Sequence, residues 1–471
     1  MIDKMQEIKN IIGFSIGPII SSAIGFLTTP IVTFFIAPEE YAKLNMYLLF
    51  QNILSVSVYL ALDQSFVRFY NDREDKKKLW RQAIFIPLII SIILAVIVLF
   101  NYRFFSDYLF EIKDNYIPII LFCISIPLIV LERFILLWIR MQENAIKYST
   151  FNILLKVSVL VVTVLLMLLY EKTYISAIYG YVIGQIIVDI LLVVSNTELL
   201  HWHKHTYNSV DVSELVKYAI SLAPVDFISL MLNSTDRIML NEIGTLTDVG
   251  LYSVALRITG LLAILKTCIT SFWTPMSLRW KANGVDNKQF NNVMDIVTVC
   301  LSLVFFGCLL IKPIIFLLFG EAYRHAMYIF PYLLFYPILY TICEIFLVGI
   351  LFKKKGYFVT ISSVVSLILN IGINFVLIPM LGAIGAACAT ALCNGIYFFM
   401  VMFFSRRCWY KFPIRKMAIV ILLMYISAGI NTFVHSQVLV TVVNMITLFL
   451  TIALYNCTVK KLFMYVRDMK S

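Results

Sequence analysis

The chain has 471 residues, 61% of them hydrophobic and 14% charged, with a net charge of +11. Soluble domains carry about 25% charged residues, so this composition, with a mean hydropathy of +0.90, excludes a soluble globular protein and points to an all-α integral membrane protein. The cations sit in loops between apolar runs, which argues against nucleic acid as a partner. The nine cysteines are scattered without a CxxC, which argues against a disulfide framework or a zinc site.

The first apolar run, from about residue 11 to 37, is too long for a signal-peptide core and is expected to stay as a membrane helix. Further runs able to span follow at 42–67, 82–101, 115–139, 149–170, 173–195, 214–241, 249–275, 292–314, 326–352, 357–379, 383–405, 413–434 and 437–458, for about fourteen helices in all. Alternate loops carry the cations. Arg73, Lys76, Lys77, Lys78 and Arg81, then Arg140 and Lys147, Lys353, Lys354 and Lys355, and Arg406, Arg407 and Lys411 fall on one side. Arg103, Lys113, Lys172, Lys312 and Arg324 fall on the other. The positive-inside rule then places both termini in the cytoplasm. The loop His201, His203, His205 has metal-ligand residue types, but it reads as a solvated loop rather than a metal site.

Two halves match weakly at an offset of about 206 to 212 residues. Pro18 pairs with Pro224, the turn Glu39-Glu40-Tyr41-Ala42 with Thr247-Asp248-Val249-Gly250, and Pro127 and Glu132 with Pro337 and Glu344. Six helices per repeat give both halves the same orientation, related by an axis along the membrane normal. The expected lobes are residues 1–205 and 206–408, with helices 13 and 14 appended in 409–471.

Ionisable residues inside membrane spans are costly and mark cavities or partners. In the seventh run Asp226, Asn233 and Arg237 fall within about 20° of one helical line, with Asp236 beside them; a structural Asp236–Arg237 ion pair is the plainer reading. Arg68 follows Gln64 at the end of the second run, where a cation can also snorkel. Glu132 and Arg133 lie in the fourth run, Asn152 and Lys156 in the fifth, and Tyr181, Gln185 and Asp189 at i, i+4, i+8 in the sixth. In the eighth, Arg257 and Lys266 stand about 180° apart, so a straight helix aims only one of them into a cavity. Ser363, Ser366, Asn370 and Asn374 have the spacing of interhelical hydrogen-bond glue. Gly382, Gly385, Ala386, Ala387 and Ala389 permit close helix packing. No P-loop, nucleotide fingerprint or hydrolase elbow is present, which argues against an ATP-driven pump.

Asp236-Arg237 followed by Asp248-Val249-Gly250-Leu251-Tyr252, then Glu321-Ala322-Tyr323 and Ile378-Pro379-x-Leu-Gly-Ala-Ile-Gly-Ala-Ala-Cys-Ala-Thr, resemble signatures of the polysaccharide transporter family; FVRFYND at 66–72 is similar to its second-helix end. That family belongs to the multidrug/oligosaccharidyl-lipid/polysaccharide superfamily. The resemblance implies a V-shaped, two-lobed bundle in the bacterial inner membrane. It would flip polyprenyl-diphosphate-linked oligosaccharides to the outer leaflet for O-antigen, capsule or similar polymers, alongside a polysaccharide polymerase and a chain-length regulator. Arg237, Arg68, Arg257 and Lys266, with Asn233, are then the expected substrate-binding residues, because guanidinium and ammonium groups suit a diphosphate. Asp226, Asp236 and Glu132 are the expected coupling residues. No cofactor is expected. The drive is either the membrane potential, worth about 2.3 kcal/mol per charge per 100 mV, or H⁺ or Na⁺ antiport. A peptidoglycan-precursor flippase and a cation-coupled drug exporter are related alternatives. A membrane polymerase, an alternative of another class, tends to carry a long outer loop, and none is present.

Overall fold

Long apolar runs in lipid must satisfy their backbone internally, and here they do so as helices. The computed structural model describes residues 2–199, 209–460 and 464, and for 2–16, 209–211 and Ser271 the backbone alone. His201, His203 and His205 lie outside the described residues. The elements are α1 (Ile2–Thr33), α2 (Pro38–Tyr59), α3 (Leu62–Phe69), α4 (Lys76–Phe100), α5 (Tyr102–Phe110), α6 (Tyr116–Met141), α7 (Ala145–Leu169), α8 (Tyr174–Val194) and α9 (Ser209–Ile243). They continue as α10 (Leu246–Leu261), α11 (Ala263–Ala282), α12 (Asn287–Phe316), α13 (Phe330–Leu333), α14 (Phe335–Phe352), α15 (Tyr357–Cys408), α16 (Arg415–Phe433) and α17 (Gln437–Leu454). No strand occurs among the described residues.

Among the described residues, eleven helices are long and apolar enough to cross a membrane, and twelve if the bent pair α2–α3 is one span. Two further spans are short or fused in that count. The described apolar part of α1 is Gly17–Thr33. The 52-residue α15 would reach about 78 Å at 1.5 Å per residue, far beyond a hydrocarbon core of about 30 Å, and it breaks at Gly382 (φ 56°, ψ −132°). The protein is a multi-pass membrane protein of about fourteen spans. Contacts divide it into two compact units, residues 1–234 and 235–471.

In unit 1, α7 and α8 approach closely at Gly180 and Gly184, where an added Cβ would meet the backbone of Thr163 and Val159. Small residues bring helices together this way in lipid, where apolar side chains gain little by leaving the bilayer. A buried cluster of Val58, Leu62, Phe66, Trp80, Phe134 and Trp138 fixes α2, α3, α4 and α6 to one another, and Trp80 Nε1 donates to Phe134 O at 2.8 Å. Residues 42–67 do not form the single expected helix. They break between α2 and α3 with a bend of 49°, and Leu60 and Ala61 both take positive φ (47° and 59°). That conformation costs a non-glycine residue roughly 1–2 kcal/mol. The break turns Asp63 inward, where it is buried.

In unit 2, α14 is the central helix: the span Phe330–Phe352 is 83% buried, against 28% for the lipid-facing α4. Lys312, expected in a loop, lies instead inside α12, buried, with Nζ donating to Asn431 O at 2.8 Å. Pro313 follows it within the same helix, so the polar residue extends the span rather than ending it. The carbonyl of Asn431 gives the ammonium the acceptor it needs there.

One contact recurs in both units. Glu40, at the start of α2, accepts the backbone N–H of Tyr174 at the start of α8 (2.8 Å). Asp248, at the start of α10, accepts the N–H of Ala383, which opens the second arm of α15 (2.9 Å). A carboxylate at a helix N-terminus satisfies an orphan donor and complements the helix dipole. The acidic residues are 208 positions apart and the capped residues 209. Gly382 is required at the second site, because a Cβ there would meet the Asp248 carboxylate.

Candidate functional site

Each unit buries carboxylates inside its spans and uses some of them to hold a cation. In unit 1 the Asp63 carboxylate, 6% exposed, receives Arg133 through Nη2 at 2.7 Å and Nε at 3.2 Å, while the Arg133 side chain stays 43% exposed. Gln64 Nε2 donates to the same oxygen at 3.1 Å. In unit 2 the Glu344 carboxylate, 9% exposed, pairs with Lys266 at 3.5 Å, and Lys266 is 40% exposed. The ammonium also lies 5.2 Å from the Tyr340 ring centroid, a cation–π distance. In both pairs the anion is the buried partner and the cation the presented one, so the acid sets where the base stands.

A second carboxylate cluster lies in unit 1 beside a cavity of about 200 Å³, lined by Gln51, Asn52, Ser55, Tyr59, Glu132, Lys156, Tyr181 and Gln185 among others. Glu132 Oε2 accepts from Gln185 Nε2 at 3.0 Å, and Asp189 follows one turn later on α8, buried.

In unit 2 Asp236 is surrounded by donors. Its Oδ1 accepts from Asn374 Nδ2 at 2.8 Å and Asn370 Nδ2 at 3.1 Å. Its Oδ2 accepts from the Tyr252 hydroxyl at 2.5 Å and from the Thr390 hydroxyl. One buried carboxylate thus ties α9, α10 and both arms of α15. The Asn370–Asn374 spacing does act as interhelical glue, with Asp236 as its acceptor.

The other expected residues fall as follows. Asp226 and Asn233 are exposed on α9. Asn233 Nδ2 is bonded back to Ser229 O at 2.7 Å, and Asp226 lies within electrostatic reach of Asp63 and Arg133. Arg237, next to Asp236, is half-buried, and Arg257 is exposed on α10. α10 and α11 abut at Leu262, whose N–H closes a tight bond to Thr259 O at 3.0 Å, so the Arg257–Lys266 segment is not one uniform helix. Arg68 pairs with Asp72 at 2.7 Å at the exposed end of α3. Sequence reasoning named Arg133 without choosing it, and it did not foresee Asp63 as its anchor, because that pairing depends on the unheralded break before Leu62.

The family described as polysaccharide biosynthesis protein matches residues 8–281. The chain belongs to that family. A curated relative, the probable low-salt glycan biosynthesis flippase Agl15 of Haloferax volcanii, is 27% identical over 152 residues. The match spans 31% of this chain and 32% of that relative's length. Among solved structures, the lipid II flippase MurJ in an inward closed conformation is similar with a TM-score of 0.68 at 17% identity, covering 97% of this chain and 99% of that one. An inward-facing multidrug resistance MATE family transporter of the MOP superfamily gives 0.55 at 13% identity, covering 82% and 94%. At these identities the likeness is one of fold.

Proposed function

We propose that the protein is a transporter, not an enzyme, and that it flips a polyprenyl-diphosphate-linked oligosaccharide from the cytoplasmic to the outer leaflet by alternating access. The observation that carries this reading is the pair of presented cations, Arg133 on Asp63 and Lys266 on Glu344, inside the spans of a polysaccharide biosynthesis family member. A cation within a bilayer is expensive unless something polar meets it, and a diphosphate supplies the matching charge. Arg237, Arg68, Arg257 and Lys266 serve the diphosphate in this reading, with Asn233 toward the glycan. Such a substrate, with about two negative charges, gains roughly 4–5 kcal/mol in moving outward through 100 mV. Asp226, Asp236 and Glu132 are the coupling residues, for H⁺ or Na⁺. The setting is the bacterial cytoplasmic membrane with both termini inside. The product is an O-antigen, capsule or similar polymer, made with a polymerase and a chain-length regulator.

The test is export by charge-neutral variants. Arg237→Gln and Lys266→Gln should insert normally yet leave lipid-linked glycan accumulated in the inner leaflet. Normal export by both variants would overturn the assignment of these residues.

A further inference from the structure

Asp189 on α8 is 2% exposed, and neither of its carboxylate oxygens receives a hydrogen bond. One turn earlier the Gln185 side-chain carbonyl is also without a donor, while its amide nitrogen is committed to Glu132. The Glu132 carboxyl lies within hydrogen-bonding reach of Asp189. This cluster is rich in acceptors and short of donors. A buried ionised carboxylate with no donor costs several kcal/mol, and two carboxylates facing each other in a low dielectric do not both ionise. A single proton between them supplies the missing donor.

The charge count agrees. Glu132 and Asp189 would carry two negative charges, and the Lys156 ammonium, which acts on Glu132 from α7, returns one positive charge. One added proton brings the three groups to neutrality. Tyr59 from α2 and Arg133 on α6 itself also act on Glu132, and the Tyr181 phenol on α8 lines the same cavity. Arg133 is already committed to Asp63. Beyond Arg81, α4 contributes no titratable side chain.

We propose that Glu132 and Asp189 form a one-proton site, and that unit 1 exchanges this proton during transport. The proton site stands on the geometry alone; its coupling role rests on the flippase reading above. Glu132 lines the cavity and Asp189 does not appear among its lining residues, so Glu132 is the door and Asp189 the buried store. A cavity of about 200 Å³ holds roughly six waters at ~30 Å³ each, enough for a short water chain. On release, the shared O–H bond breaks, its electron pair stays on the carboxylate, and the proton leaves on a cavity water. A metal ion fits less well, because it would sit beside the Lys156 ammonium, whereas a proton merges into a carboxyl group.

The experiment is infrared spectroscopy of the full-length protein in nanodiscs across a pH series. The wild type should show a protonated-carboxyl C=O band that titrates as one proton. Asp189→Asn, nearly isosteric, should lose that band, and Glu132→Gln should shift its position or its titration. A band unchanged in Asp189→Asn, no such band in the wild type, or a band that follows Na⁺ rather than pH would each overturn the proton site. In proteoliposomes, flipping by the wild type should respond to an imposed pH gradient and flipping by Asp189→Asn should not. Equal responses would overturn the coupling role. A wild type that carries the titrating band yet moves no lipid-linked saccharide under any gradient would overturn the flippase reading and leave the proton site standing.

Discussion

Asp189 in unit 1 and Asp236 in unit 2 are both buried acids on membrane-spanning helices, and they are solved in opposite ways. Asp236 has four side-chain donors converging on two oxygens, from Tyr252, Asn370, Asn374 and Thr390. Asp189 has none. Burial alone therefore does not define what an intramembrane acid does; the count of donors around it does. The first arrangement makes the carboxylate a knot holding three helices. The second leaves a vacancy for a proton.

Removing the two acids should separate these roles. Asp236→Ala leaves several buried donors without their acceptor and should destabilise the protein by about 3–5 kcal/mol, seen as a large drop in the unfolding midpoint in detergent. Asp189→Asn replaces the shared proton with an amide donor of its own and should lie within about 1 kcal/mol of wild type. Equal losses in the two variants would break the comparison.

The contrast was only partly legible in the sequence. Spans were legible because bilayer thickness dictates apolar length, and Asp189 and Asp236 stood out as acids in apolar runs. Asn370 and Asn374 were recognisable as hydrogen-bonding glue, but their acceptor lies 134 and 138 positions away, and periodicity carries no information at that range. The Leu60–Ala61 break was invisible, since neither residue is a helix breaker and their strained φ is imposed by packing. Without the break, Asp63 and Arg133 had no reason to be paired. Lys312 was misplaced because a lysine beside Pro313 has the composition of a helix end, and its burial is explained by the carbonyl of Asn431 and the Tyr328 ring, 5.7 Å away.

The recurring helix caps extend the comparison at smaller magnitude. Gly382→Ala should cost about 2 kcal/mol, because its φ and ψ lie in a region essentially only glycine adopts and its Cβ would displace Asp248. Asp248→Ala should cost about 1–2 kcal/mol as a lost cap. Glu40→Ala, at the equivalent cap in unit 1, should cost about 0.5–1 kcal/mol, because the longer glutamate side chain gives up more rotamer freedom to hold its cap. Because Gly382 and Asp248 act on one contact, their double variant should lose less than the sum. Unfolding midpoints of the four proteins measure this, and strict additivity would show that Asp248 does not act through the helix opening at Ala383.

The smallest structural effect is expected at Arg68. Its partner Asp72 is four residues away and both side chains are about half exposed, at 55% and 51%, so the pair is screened and contributes at most about 0.5 kcal/mol. Arg68→Ala should leave the unfolding midpoint where it is. A cation held so loosely is free to exchange Asp72 for a phosphate, so the same variant should still lower glycan flipping, and more at low salt than at high salt. A loosely held cation and an anchored one then differ as the two acids do. Lys266, anchored by the buried Glu344, should show both a stability loss and a transport loss when neutralised, while Arg68 shows the transport loss alone.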